Sequence, residues 1–180
     1  MAQSTSPTVS PPIDSALVRT LLAGDFAVTA EIVPPLSGDG AALIAKAQPL
    51  RGLVDGLNVT DGAGARSHLS SLVAAGLLVR EGHEPVLQFT TRDRNRIALQ
   101  SDILGTSALG IQNILVLGGD DPKAGDQPDA KPVFDLDTGE LIAMIREMGD
   151  PGKLPSGREI ECPPKLFIGA ADTPIDPPAD

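Results

Sequence analysis

Ile114-Leu115-Val116-Leu117 is a run of four apolar β-formers, and Gly118-Gly119-Asp120-Asp121-Pro122 stops it abruptly. An unbroken apolar run of that length suits a strand covered on both faces, so it calls for packing layers above and below. Glycines at its end let the backbone approach a ligand closely. Two carboxylates there cost desolvation unless a partner meets them, although an Asp-rich turn is the competing reading.

The rest of the chain repeats the arrangement. Strands are expected at Phe26–Val33, Leu53–Val59, Pro85–Thr90 and Lys165–Ala170, with helical patterns between them. A first helix through Leu17, Val18, Leu21 and Leu22 takes Asp14 or Ser15 as cap and Gly24 as stop. Ala41 to Leu50 places Leu43, Ile44, Ala47 and Leu50 on one face. Ser67 is expected to cap a helix with the stripe Leu69, Leu72, Val73, Gly76 and Leu77, and Asp93 one over Arg94–Ala108 with Ile97, Leu104 and Ala108 inward. Asp137 or Thr138 caps another, in which Leu141, Met144, Ile145 and Met148 share a stripe. Gly149 to Pro164, rich in Pro and Gly, reads as a loop.

Strands and helices alternating at this spacing imply right-handed βαβ units and a parallel sheet. No G-x-G-x-x-G follows the first strand, which counts against an open dinucleotide-binding sheet. Polar residues instead recur at successive strand ends: Glu31, Thr60-Asp61, Gln88 with Thr90, and Asp120. That distribution suits the mouth of a (β/α)8 TIM barrel, where functional groups come from many strands. A full barrel needs about 250 residues, and the chain has 180. The expectation is an incomplete barrel of five β/α units over 16–180, behind a disordered tail at 1–15. Its first and fifth strands would be unpaired outside, and Val28, Leu57 or Val59, and Leu115 or Leu117 would face an unfilled interior.

Charge narrows the partners. Lys and Arg number 14 against 24 Asp and Glu, a net charge of -10 that repels nucleic acid and anionic membrane surfaces. With no Trp or Tyr and four Phe, a base-stacking platform is poorly supplied. No apolar run approaches the roughly 20 residues of a membrane span, and the N-terminus has no signal-peptide pattern. A single cysteine, Cys162, rules out an internal disulfide and makes the cytoplasm the default compartment. It lies in the Pro-rich loop, away from any strand end, and His68 and His83 have no ligand spacing, so no metal site is expected.

The segments AEIVPP, NVTDG, LQFTTRDRNRIALQSDILG, ALGIQNILVLGGDDP and PPKLFIGAADTP, in that order and spacing, resemble the flavin-dependent methylenetetrahydrofolate reductases over about Phe26 to Pro178. The resemblance implies a (β/α)8 barrel holding FAD, or FMN, at the strand C-termini. It implies hydride transfer from NADH or NADPH through the flavin to 5,10-methylenetetrahydrofolate, giving 5-methyltetrahydrofolate for one-carbon and methionine metabolism. Glu31 would be the general acid that opens the imidazolidine ring. A closed mouth with a second carboxylate nearby favours its protonated form. A structural ion pair at a strand end is the competing reading. Asp120 would lie by flavin and pterin, Thr60 would contact the flavin, and Gly119 would back the ring system. Gln88 stands where some members carry a histidine, Gly118 where some carry an arginine, and Ala170 would border the cofactor.

Two features remain open at this level. Arg92, Arg94 and Arg96 crowd a helix start, where cations oppose the macrodipole, so either an acidic partner lies nearby or the turn is solvated with Asp93 as cap. The connection Asp121 to Asp135 is long enough for a cofactor-covering lid, or for plain mobility. Alternatives to the reductase are a cofactor-independent barrel lyase or isomerase pairing Glu31 with Asp120, and a non-catalytic truncated chain. Open edges also lead to an expected homo-oligomer.

Overall fold

In the computed structural model, which describes residues 13–171, the apolar run forms β4 (Asn113–Leu117) between β3 (Pro85–Thr90) and β5 (Phe167–Ala170). β2 (Gly56–Val59) and β1 (Thr29–Ile32) extend the sheet on the β3 side. Every neighbouring pair is parallel and the strands stand in sequence order. A doubly wound sheet reverses its order at a switch point. This sheet does not, and its order is compatible with a partial barrel. The expected tail lies, over residues 1–12, outside the described residues.

Register decides which side chains reach which layer, because neighbours across a parallel ladder point the same way. Ile32, Leu57, Val59, Leu87, Phe89, Ile114 and Val116 share one face and are all buried. Helices α2 (Ala41–Ala47), α3 (Ser71–Arg80), α4 (Arg96–Ala108) and α5 (Thr138–Gly149) close over that face as one core. Leu57 and Val59 therefore belong to the helix side and do not face the interior of a barrel. The opposite face carries Glu31, Asn58, Gln88, Leu115, Leu117 and Phe167, each exposed or half-buried.

Helix α1 (Ala16–Ala23) closes the N-terminal end of the sheet. Ser15 is buried: its Oγ accepts from the Val18 N–H at 3.2 Å and donates to Asn113 Oδ1 at 2.8 Å, so one hydroxyl caps the helix and ties it beneath β4. Thr20 Oγ1 donates to Asp55 at 2.8 Å ahead of β2, and Gly24 ends the helix at φ 76.

Several boundaries depart from the sequence expectation. Phe26 is 90% exposed and Leu53 is 70% exposed, so β1 and β2 begin later than their apolar runs suggest. In α3 the sheet-facing residues are Ala74, Ala75 and Leu78, and the expected leucines reach sideways. Leu77 fills the space where Gly40 has no side chain, and Leu72 lies where a Cβ on Gly105 would meet it at 3.6 Å. Small residues let α3 sit close to the sheet, so its larger side chains pack between helices. In α4 the buried residues are Leu99, Ile103 and Thr106, while Ile97 is exposed. The α5 expectation holds in full, with Leu141, Met144, Ile145 and Met148 buried and an Asp137–Glu140 capping box. Neither Ser67 nor Asp93 caps a helix: Ser70 precedes α3, and Asn95 accepts from the N–H groups of Ile97 and Ala98.

Candidate active site

Parallel strands bring their C-terminal ends to one rim, and the residues singled out from the sequence gather there. Glu31 is the penultimate residue of β1, Thr60 follows β2, Gln88 lies in β3, Gly119 and Asp120 follow β4, and Ala170 ends β5. Glu31 and Gln88 are on the open face, and the buried Thr60 directly follows the last paired residue of β2. Gln88 Nε2 donates to Glu31 Oε2 at 3.4 Å, a long bond that spans β2. Glu31 is exposed, and the closed mouth expected around it is not formed by the described residues. Ala170 pairs in register with Val116, so its Cβ belongs to the helix-side layer and only its backbone borders the rim.

Asp120 does not join Glu31. Its Oδ2 accepts from the Gly64 N–H at 2.7 Å, fastening the end of β4 to the loop after β2. Gly119 has φ 95, and a Cβ there would stand 3.2 Å from both Arg92 Cβ and Thr90 Cγ2; only glycine fits. Gly118 differs, since a Cβ there would meet nothing within 4 Å. Thr60 is buried, and its Oγ1 has no hydrogen-bond partner among the described residues. An orphan hydroxyl of this kind costs about 1–3 kcal/mol until something satisfies it.

Beside this rim lies a network that the sequence only hinted at. The buried Asp61 carboxylate accepts from Ser71 Oγ at 2.8 Å, from the Thr90 N–H at 3.0 Å and Oγ1 at 2.9 Å, and from Arg94 Nη1 and Nη2 at 2.7 and 3.0 Å. Burial works to raise its pKa, but the Arg94 fork and charge, with the Thr90 and Ser71 bonds, outweigh that and hold it below the ordinary carboxylate value. Arg94 also lies 4.9 Å over the Phe89 ring centroid, and its Nε sits 3.1 Å from Asp102. Burial leaves Asp102 raised in spite of that guanidinium, with the Asp61 charge adding to the rise.

The three arginines that crowd the start of α4 each have an acid from the chain itself. Arg94 takes Asp61, Arg96 takes Asp135 through a fork with Nη2 at 2.8 Å, and Arg92 takes Asp93 at 2.7 Å. The solvated-turn reading is thereby corrected, and Asp93 is held by Arg92 instead of capping the helix. The visible signal was the clash with the macrodipole; the identity of the partners needed the fold. These pairs also pin the connection Asp121–Asp135, whose far end is anchored by Asp135 and by the Val133 N–H bonding to the Arg92 carbonyl at 2.7 Å. At Gly125 the same connection packs so tightly on Ala65 that a Cβ would overlap its carbonyl.

A parallel sheet in strand order with helices over one face and polar groups, two glycines and an orphan hydroxyl along its C-terminal rim defines an α/β protein compatible with the partial-barrel type. Residues 17–154 match the family model described as methylenetetrahydrofolate reductase, and the chain belongs to that family. No curated protein matches the chain. No described helix is long and apolar enough to cross a membrane.

Proposed function

We propose that this chain carries the flavin and folate face of a methylenetetrahydrofolate reductase, reducing 5,10-methylenetetrahydrofolate to 5-methyltetrahydrofolate at the expense of NADH or NADPH. The single observation that carries the reading is the family match over residues 17–154, which includes Glu31, Thr60, Gln88, Gly119 and Asp120. The rim fits a flavin on two independent counts. Thr60 has a buried hydroxyl in need of a partner, and Gly118 leaves open backbone against which a planar ring can lie. FAD, or FMN, bound there supplies the relay of two electrons between nicotinamide and folate.

The chain's own residues then have separable tasks. Thr60 would hold the flavin through a hydrogen bond at its Oγ1. Gly118 and Gly119 provide close backbone, and Asp120 presents its backbone at the rim while its carboxylate holds the β2 loop. Glu31, exposed on the open face, delivers a proton to an imidazolidine nitrogen of the folate, and Gln88 orients it. Water exclusion around Glu31 falls to the folate itself. Among the described residues the outer edges of β1 and β5 are unpaired, and self-association through them would be read directly by sedimentation.

Two measurements test the reading. Titration with FAD or FMN should give a bound flavin whose absorption near the visible maximum bleaches when a reduced nicotinamide is added; a chain that leaves every flavin free sinks the reading and favours cofactor-free lyase or isomerase chemistry. In the active protein, Glu31→Gln should leave nicotinamide-driven flavin reduction nearly intact and slow folate reduction by about 10²- to 10⁴-fold, the range for a lost general acid. Equal losses in both half-reactions would assign Glu31 a shaping role.

A further inference from the structure

Arg92 is almost fully buried, and it sits between two rim loops. Its Nη1 donates to the Asp120 carbonyl at 3.1 Å and to the Gly62 carbonyl at 3.4 Å, and Nη2 reaches the Gly62 carbonyl at 3.4 Å. Nε and Nη2 form a fork on Asp93 at 2.8 and 2.7 Å. Its own carbonyl accepts from Val133. One residue thus meets the loop after β2, the loop after β4, and the returning end of the Asp121–Asp135 connection.

The surroundings are shaped to it. Gly62 has φ 61, and a Cβ there would fall on the Arg92 guanidinium; Gly119 has φ 95 and would bring a Cβ to 3.2 Å from Arg92 Cβ. Two left-handed glycines, one in each loop, therefore give way to the same side chain. The fork also explains why the residue is arginine. A lysine offers one ammonium on a flexible stem and cannot serve two carbonyls and a bidentate carboxylate at once.

We propose that Arg92 is the positioning residue of the site: it fixes the spacing between the β2 and β4 loops, and so the place of Asp120 and the Gly118-Gly119 backbone relative to Thr60. The inference rests on the flavin reading above and adds to it a residue that touches neither flavin nor folate. A misplacement of about 1 Å in such a frame is enough to lose about 10²-fold in function.

The test uses the full chain with Arg92→Lys and Arg92→Leu. Amide hydrogen exchange without any flavin should show the Gly64 and Val133 amides losing protection at least tenfold in Arg92→Lys, while Leu87 and Val116 in the central strands keep theirs. Flavin titration should show affinity reduced about 10²-fold in both variants. Unchanged exchange at Gly64 overturns the proposal. So does a loss of protection spread equally over the strands, which would make Arg92 a general support of the fold. If the unsubstituted chain binds no flavin, the functional reading fails by itself, and the exchange measurement still decides whether Arg92 holds the two loops together.

Discussion

The rim of this sheet has two unlike halves. At the ends of β2, β3 and β4, Arg94 forks onto Asp61 at 2.7 and 3.0 Å, Arg92 donates to the Asp120 carbonyl at 3.1 Å, and the Asp120 carboxylate takes the Gly64 N–H at 2.7 Å. At the end of β1, Glu31 is exposed and meets Gln88 across 3.4 Å. The first half is already arranged before any ligand arrives, whereas the second waits for whatever covers it. Preorganised backbone and a proton donor with freedom to adjust are different requirements, and the two halves of the rim divide them.

The sharpest way to break the contrast is to remove Arg94. Arg94→Leu leaves the Asp61 carboxylate buried without its counter-ion, a change expected to cost about 3–5 kcal/mol of stability. Chemical denaturation should show it as a large fall in midpoint, partly recovered when Asp61→Asn is added. A loss below about 1 kcal/mol would place the pair in the screened, surface class.

Next in size is a comparison of the sheet's two faces. Leu78→Ala, in the helix-side core, should cost about 2–5 kcal/mol. Leu115→Ala, on the half-buried face, should cost less, about 1–2 kcal/mol, because part of its area stays in water. Similar losses at both positions would mean that the open face is covered in solution.

A smaller effect belongs to pH. Arg96 holds the Asp135 carboxyl down to about 2 from an ordinary 3.8. Since the folded value is the lower one, this pair stabilises the chain fully above about pH 4 and loses its contribution as pH falls towards about 2. Asp61 has the same sign. The Arg96 amide proton, bonded to Asp135 Oδ2 at 2.9 Å, should report the titration by NMR. A midpoint near the ordinary value would show the fork open in solution. Smallest of all, Glu31→Gln should change stability by no more than about 0.5 kcal/mol, as for other exposed substitutions; a larger loss would move Glu31 into the structural half of the rim.

How far the sequence carried these features depends on what each residue answers to. Strand positions, the Gly24 stop and the α5 stripe were legible because a run, a left-handed turn and a 3.6-residue period are local properties. The faces of α3 and α4 were not. Ala74 and Ala75 hold the sheet because the approach there is close, and hydrophobicity ranks them below Leu72, which lies to the side, and Val73, which is exposed. The rim residues could be named from motifs, but their bonding could not. That Asp120 reaches Gly64 and Arg94 reaches Asp61 depends on which loops the sheet order makes neighbours, a matter of tertiary distance.

The strand order has a kinetic consequence. Thr29 pairs with Gly56, Leu57 with Pro85, and Val86 with Asn113, so each new strand finds its partner in the segment just before it. Only Asn113 with Phe167 bridges a much longer separation. Loop closure is therefore inexpensive for the first four strands and costlier for the fifth. On a ribosome the sheet can grow in the order of its synthesis, with β5 docking last onto a surface that the Asp61–Arg94 junction has already set.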